Sequence, residues 1–146
     1  MTVQQDFKDA APASDAVSQV AALCHRKGKK GREVLLVTSS RGRWILPKGW
    51  PIDGLTDAEA ALQEAWEEAG VREGSVTKKP VLKFKGEKRY EDGRRVPARI
   101  AVYGIKVSKT ASKFPEAKRR DRRWVSLSKA ADLLGDKGFR KALKAL

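Results

Sequence analysis

Between Thr56 and Gly70 the chain has essentially one conformation open to it. Thr56 followed by Glu59 is a capping box, Asp57 suits the positive first turn of a helix, and Gly70 is a residue on which helices stop. Ala58, Ala60, Ala61, Ala65 and Ala69 favour helix and let its axis come close to a sheet. On a helical wheel the face expected to be buried holds Ala58, Leu62, Ala65, Trp66 and Ala69. Glu64, Glu67 and Glu68 share an arc of about 100° on the other side, where solvent or a ligand would reach them. Like charges at this spacing oppose helix formation. The cluster is also out of character in a chain with 32 Lys plus Arg against 18 Asp plus Glu. It is either a solvated stripe pairing with surface cations or a hard-cation site, because carboxylate oxygens suit Mg²⁺ or Mn²⁺.

The rest of the chain reads mostly as strands. Residues 14–25 suggest a strand running into a turn. Val34, Leu35, Leu36 and Val37 form a continuous apolar run that fits a central strand, joined to the first across 27–31. Trp44, Ile45 and Leu46 make a short strand stopped by Pro47, and 47–55 is a loop. Two strands, 76–90 and 96–107, flank a turn at 91–95. A basic loop over 109–123 and a short strand at 124–127 follow. Ser128 is expected to cap a helix ending at Leu134, and 138–146 forms a last helical piece. Strands around a central helix, closed by terminal helices, predict an α+β fold. Residues 1–13 read as a flexible N-terminal arm and 14–146 as a single domain.

Composition narrows the chemistry. A single cysteine, Cys24, and a single histidine, His25, exclude an internal disulfide and a Cys/His zinc site. No apolar run approaches the ~20 residues of a membrane helix, so the expectation is a soluble, cytoplasmic protein with no membrane partner. The net charge of +14 favours polyanionic partners, from phosphorylated small molecules to nucleic acid. Monomer and homodimer both remain open.

The run 49–71 resembles the Nudix box. Gly49, Glu64, Ala65, Glu67, Glu68, Gly70 and Val71 stand at matching positions. Leu55 and Gln63 replace the glutamate and arginine of that pattern. Losing both members of an ion pair leaves neither orphaned, so neutral packing is expected there. Outside the box, Ser39-Ser40-Arg41 and Trp44-Ile45-Leu46-Pro47 are similar to the diphosphoinositol polyphosphate phosphohydrolase and diadenosine polyphosphate hydrolase branch. The likeness covers most of residues 17–134.

The resemblance implies a Nudix-type α/β/α sandwich around a mixed sheet, and a hydrolase of phosphoanhydride bonds. It implies Mg²⁺, with Mn²⁺ as the alternative, on Glu64, Glu67, Glu68 and the Gly49 carbonyl. Glu68 would be the base that takes a proton from the attacking water, with Glu67 as the runner-up. Phosphate-binding candidates are Ser39, Arg41, Arg43 and Lys48 near the loop mouth, Arg99 on the strand 96–107, and Arg26 at the end of the first strand. Arg120 and Arg122 rank lower, because the register of their loop is not fixed by sequence. Trp50, in the box loop, has base stacking and loop packing open to it. The expected substrates are diphosphoinositol polyphosphates and diadenosine polyphosphates. RNA 5′-pyrophosphohydrolase activity and a non-catalytic Nudix-fold binding module are the alternatives.

Overall fold

The computed structural model describes residues 16–146; the arm expected over 1–13 lies outside the described residues. The elements run β1 (Val17–Gly28), β2 (Gly31–Thr38), β3 (Trp44–Ile45), β4 (Lys48–Gly49), α1 (Asp57–Ala69), β5 (Val71–Val76), β6 (Leu82–Arg89), β7 (Arg95–Thr110), β8 (Arg122–Ser126), α2 (Leu127–Leu133) and α3 (Lys137–Ala142), with a closing 3-10 turn at Leu143–Ala145. The strands join in one eight-stranded sheet ordered β3-β2-β1-β7-β5. β4 adds to β1, β6 to β7 and β8 to β2. The β1–β7 pair is parallel and the other pairs are antiparallel, so the sheet is mixed and the fold is α+β.

The central strands dictate the layering. Val20 to Cys24 on β1 and Val34 to Val37 on β2 are buried without interruption. A strand buried at consecutive residues is covered on both faces. Helix α1 and the C-terminal helices, through Ala130, Leu134, Phe139 and Ala142, supply that cover.

Helix α1 begins as its sequence dictates. Glu59 N donates to Thr56 Oγ1 at 3.1 Å and Thr56 N to Glu59 Oε1 at 2.8 Å. It ends on Gly70, whose left-handed φ of 71° suits glycine. Its buried stripe differs from the expected one: Ala60, Ala61, Ala65, Glu68 and Ala69 are buried, while Leu62 and Trp66 are half-buried at the margin. The sheet takes the small-residue stripe because that permits closest approach. This carries Glu68 inward, away from the exposed position expected of it.

Other boundaries also move. β1 runs past His25 to Gly28, because its pairing with β2 continues to the turn. Two strands fall in segments expected to be irregular. β4 forms in the loop after Pro47, and β5 follows Gly70 directly and pairs with the tail of β7. The final helix pair starts earlier: Ser126, not Ser128, caps α2 by accepting from Lys129 N at 3.2 Å, and Asp136 caps α3. Among the described residues no helix is long and apolar enough to cross a membrane.

Candidate active site

The loop preceding α1 is stitched to the sheet. β4 lies against β1 with Gly49 opposite Val20, and Ala22 N donates to Pro47 O at 2.8 Å. This brings the first turns of the loop over the carboxylate face of α1. Gly49 is needed there for space: an added Cβ would overlap the Glu64 carboxylate.

A cleft of about 380 Å³ opens at this point. Ser39, Arg41, Arg43, Lys48, Gly49, Glu64, Glu67 and Glu68, all expected from sequence, line it together. Glu68 is 5% exposed. Its Oε1 accepts from Lys48 N at 3.3 Å, and its Oε2 lies 3.5 Å from Arg120 Nη2. Glu64 and Glu68 stand close enough for each to shift the other's ionisation. Burial pushes the Glu68 carboxyl well above the usual range, and Arg120 only partly opposes it. Burial also raises Glu64, with the charges of Glu67 and Glu116 adding to it. Burial and the neighbouring charges thus both disfavour full ionisation of this pair. Burial lowers the Lys48 ammonium, helped by the charge of Lys88.

Glu67 is held differently. Its Oε2 accepts from Gln63 Nε2 at 2.6 Å. Gln63 thus pairs within the helix, and Leu55 is 41% exposed. The two positions border one surface pocket with Leu62 and Trp66. Among the described residues no three His, Cys, Asp or Glu side chains already stand in one metal-ligating group. The converging pair is Glu64 and Glu68.

Two expected residues lie elsewhere. Arg26 is at the β2 end of β1, where it pairs with Glu33 at 2.8 Å and stacks 4.0 Å from the Trp124 ring centroid. Arg99 sits in the cross-strand row Ser18–Arg99–Lys85, next to the row Gln19–Ile100–Phe84. Arg99 does not line the cleft; it lines a neighbouring pocket with Pro51 and Asp57, and Gln19 borders both.

The cleft also holds residues that were not among the leading candidates from sequence. Gln19 lies in it, 3% exposed. Lys88, Arg89, Tyr90 and Glu91 enter from the β6–β7 turn. Arg120 belongs there more firmly than its rank in sequence suggested. It reaches Glu68, bonds Glu116 Oε1 through Nε at 2.6 Å, and donates from Nη1 to Thr38 O at 2.7 Å.

A family model described as a NUDIX domain matches residues 17–146. The chain belongs to the Nudix family. It is 36% identical over 117 residues to Nudix hydrolase 4 of Arabidopsis thaliana, covering 77% of this chain and 53% of that protein. It is 40% identical over 119 residues to the chloroplastic Nudix hydrolase 21 of the same plant, covering 77% and 56%. The chain spans about half the length of these curated relatives. Among solved structures, it superposes on the Nudix domain of Shewanella oneidensis NrtR complexed with ADP ribose, with a TM-score of 0.69, 16% identity and 95% and 96% of the two chains covered. A binary complex of the C. elegans Ap4A hydrolase gives a TM-score of 0.61 at 17% identity, with 89% and 94% covered. At such identities the likeness speaks for the Nudix fold.

Proposed function

We propose that this Nudix chain is a divalent-cation-dependent pyrophosphohydrolase that cleaves phosphoanhydride bonds in highly phosphorylated substrates. Diphosphoinositol polyphosphates and diadenosine polyphosphates are the two classes considered. The observation that carries this reading is the Glu64–Glu68 pair, buried against Gly49 and opening into a cleft rimmed with cations.

The donor set fits a hard cation. Two neighbouring carboxyls whose charge burial disfavours are oxygen ligands short of positive charge. Glu64 and Glu68 would hold Mg²⁺ or Mn²⁺, with Glu67 and the Gly49 carbonyl beside them. When bound, the cation supplies Lewis acidity that offsets phosphate charge and makes water easier to deprotonate.

The chain's own groups do the rest. In its ionised form Glu68 would accept the proton of the attacking water as the water oxygen bonds to phosphorus and the bridging P–O bond breaks. Arg120 keeps the Glu68 carboxylate oriented. Arg43 and Lys48 neutralise the substrate phosphates, and Arg gives them bidentate geometry. Arg41 has a second duty: its Nη2 donates to Tyr90 O at 3.4 Å and Glu91 O at 3.2 Å, fixing the β6–β7 turn over the cleft.

Phosphate release from a diphosphoinositol polyphosphate, and nucleotide release from diadenosine tetraphosphate, test this with Mg²⁺ and with chelator. Turnover that requires the cation is expected. Binding of these compounds without cleavage, in the presence of Mg²⁺ and Mn²⁺, would instead make the chain a non-catalytic binding module.

A further inference from the structure

Arg120 pairs with Glu68, but that contact is the slackest of those its guanidinium makes. Nε donates to Glu116 Oε1 at 2.6 Å and Nη1 to Thr38 O at 2.7 Å, whereas Nη2 stands 3.5 Å from Glu68 Oε2. The two short bonds are anchors. Arg120 N donates to Glu116 O at 3.1 Å, which closes a turn that sets the two side chains together. Glu116 N donates to Glu67 O at 2.9 Å, so this segment is tied to the helix that carries the carboxyls. On the other side Thr38 ends β2, and its Oγ1 accepts from Asp121 N at 2.9 Å. The side chains of Arg120 and Glu116 are both 18% exposed. A planar guanidinium gripped at Nε and Nη1 is not free to turn, and its remaining corner, Nη2, faces Glu68 in the cleft.

This puts a fixed positive charge beside the carboxylate on which a divalent cation would sit. Such a cation meets the repulsion of a guanidinium that its anchors do not let withdraw. Nη1 and Nη2 each carry two N–H donors, and each uses one of them on Thr38 O or Glu68. The second N–H on each is open to an anion entering the cleft. A phosphate oxygen held there lies between guanidinium and cation, and its negative charge offsets both.

We infer that Arg120 couples the two ligands of this cleft. Fixed by Glu116 and Thr38 O, it opposes a divalent cation at Glu68 until an anion is bound, and favours the same cation once a phosphate joins its open edge. Glu116 is the positioning residue, acting through Arg120. By reciprocity the cation raises the affinity of the anion by the same factor. The inference rests on the cleft being a cation-dependent phosphoanhydride hydrolase site, and cation binding is read apart from turnover so that the two can fail separately.

Mn²⁺ affinity is measured by calorimetry in wild type, Arg120→Gln, Glu116→Gln and Glu116→Ala. Each is titrated with and without methylenediphosphonate, whose P–C–P bridge is not hydrolysed. Without the anion, Arg120→Gln should bind Mn²⁺ about tenfold more tightly than wild type, the size of ordinary couplings between sites. With the anion, wild type should gain more Mn²⁺ affinity than Arg120→Gln does. Chelation of Mn²⁺ by the anion in solution is common to both proteins and cancels. Glu116→Gln and Glu116→Ala remove the same charge, but glutamine keeps an acceptor for Arg120 Nε. Without the anion, Glu116→Ala should therefore bind Mn²⁺ several-fold more tightly than Glu116→Gln. Loss of a merely structural contact would weaken Mn²⁺ binding instead. Weaker or unchanged binding in Arg120→Gln overturns the coupling, and leaves the hydrolase reading intact where cation-dependent cleavage persists. If Arg120→Gln does not fold, the Glu116 variants decide, and equal affinities in the two overturn the coupling. Tighter Mn²⁺ binding in Arg120→Gln, with no anhydride cleaved by wild type, keeps the coupling and removes the hydrolase reading.

Discussion

Glu68 shows at the scale of one residue how function and stability pull apart. Its carboxyl is buried on the stripe that packs α1 to the sheet, where an apolar side chain would be more stable. Its folded pKa is raised by burial, so the unfolded chain gives up the proton first as pH rises. The stability contributed by holding that proton is complete below the ordinary carboxylate pKa, about 4.3. It is lost progressively as pH climbs toward the raised folded value. Glu68→Gln keeps the shape without the ionisation. In chelator-treated protein it should therefore raise Tm at pH 7 and have little effect at pH 4. It should also lower kcat by roughly 10²–10⁴-fold, the range for positioned proton transfer. Thermal unfolding at the two pH values, beside a turnover assay, checks both. Equal Tm changes at pH 4 and pH 7 would mean the buried carboxyl is not what limits stability, and near-wild-type turnover would move the base to Glu67 or Glu116.

At the scale of the elements, α1 was legible from end to end because its signals are local. The capping box, the terminal glycine and the alanine content act within a few residues of one another. Which stripe it buries was not legible, since the sheet beneath it is assembled from β1, β2, β5 and β7, and wheel geometry alone offers two neighbouring stripes. β4 and β5 were missed for the same reason: both are defined by the strand they pair with, not by an apolar pattern of their own. The altered box positions show how much a local reading leaves out. Leu55 and Gln63 were expected to pack together; they border one pocket, and Gln63 also bonds Glu67 at 2.6 Å. Leu55→Glu should change stability by less than about 0.5 kcal/mol, as exposed substitutions do. A double-mutant cycle of Gln63→Ala with Glu67→Ala should show about 1 kcal/mol of coupling, and one of Leu55→Ala with Gln63→Ala almost none. The reverse ordering would restore the packing argument. Gly49→Ala tests the junction of β4 with α1. It should destabilise by about 1–3 kcal/mol through overpacking against Glu64, and much of the loss should return in the Glu64→Ala background, where the obstructing carboxylate is gone. A loss of the same size in both backgrounds would place the cause in the backbone.

At the scale of the whole molecule, the charge of +14 indicated a class of partner but not a place. Of the cations expected to bind phosphate, Arg41, Arg43 and Lys48, on strand ends and turns close to the box, line the cleft. Strand length and register decide where the others fall. Arg26 sits on a strand longer than expected, and Arg99 lines a neighbouring pocket. Arg120 reaches Glu68 from the segment before β8, which only the β2–β8 pairing brings near. This sorting gives a charge prediction that composition alone could not. Arg43→Ala should raise KM for diadenosine tetraphosphate several-fold more than for ADP-ribose, because each phosphate contact counts for more on the more charged substrate. Raising ionic strength should shrink that difference, since the Debye length falls from about 10 Å at 0.1 M to about 3 Å at 1 M. Arg26→Ala and Arg99→Ala should leave kcat/KM for both substrates within about twofold, as expected of surface changes remote from the cleft. Steady-state kinetics on the three variants at two salt concentrations would decide it. Should Arg99→Ala discriminate between the substrates as strongly as Arg43→Ala, the polyanion would have to extend past Gln19 into the pocket that Arg99 lines, and the cleft would be only part of the site.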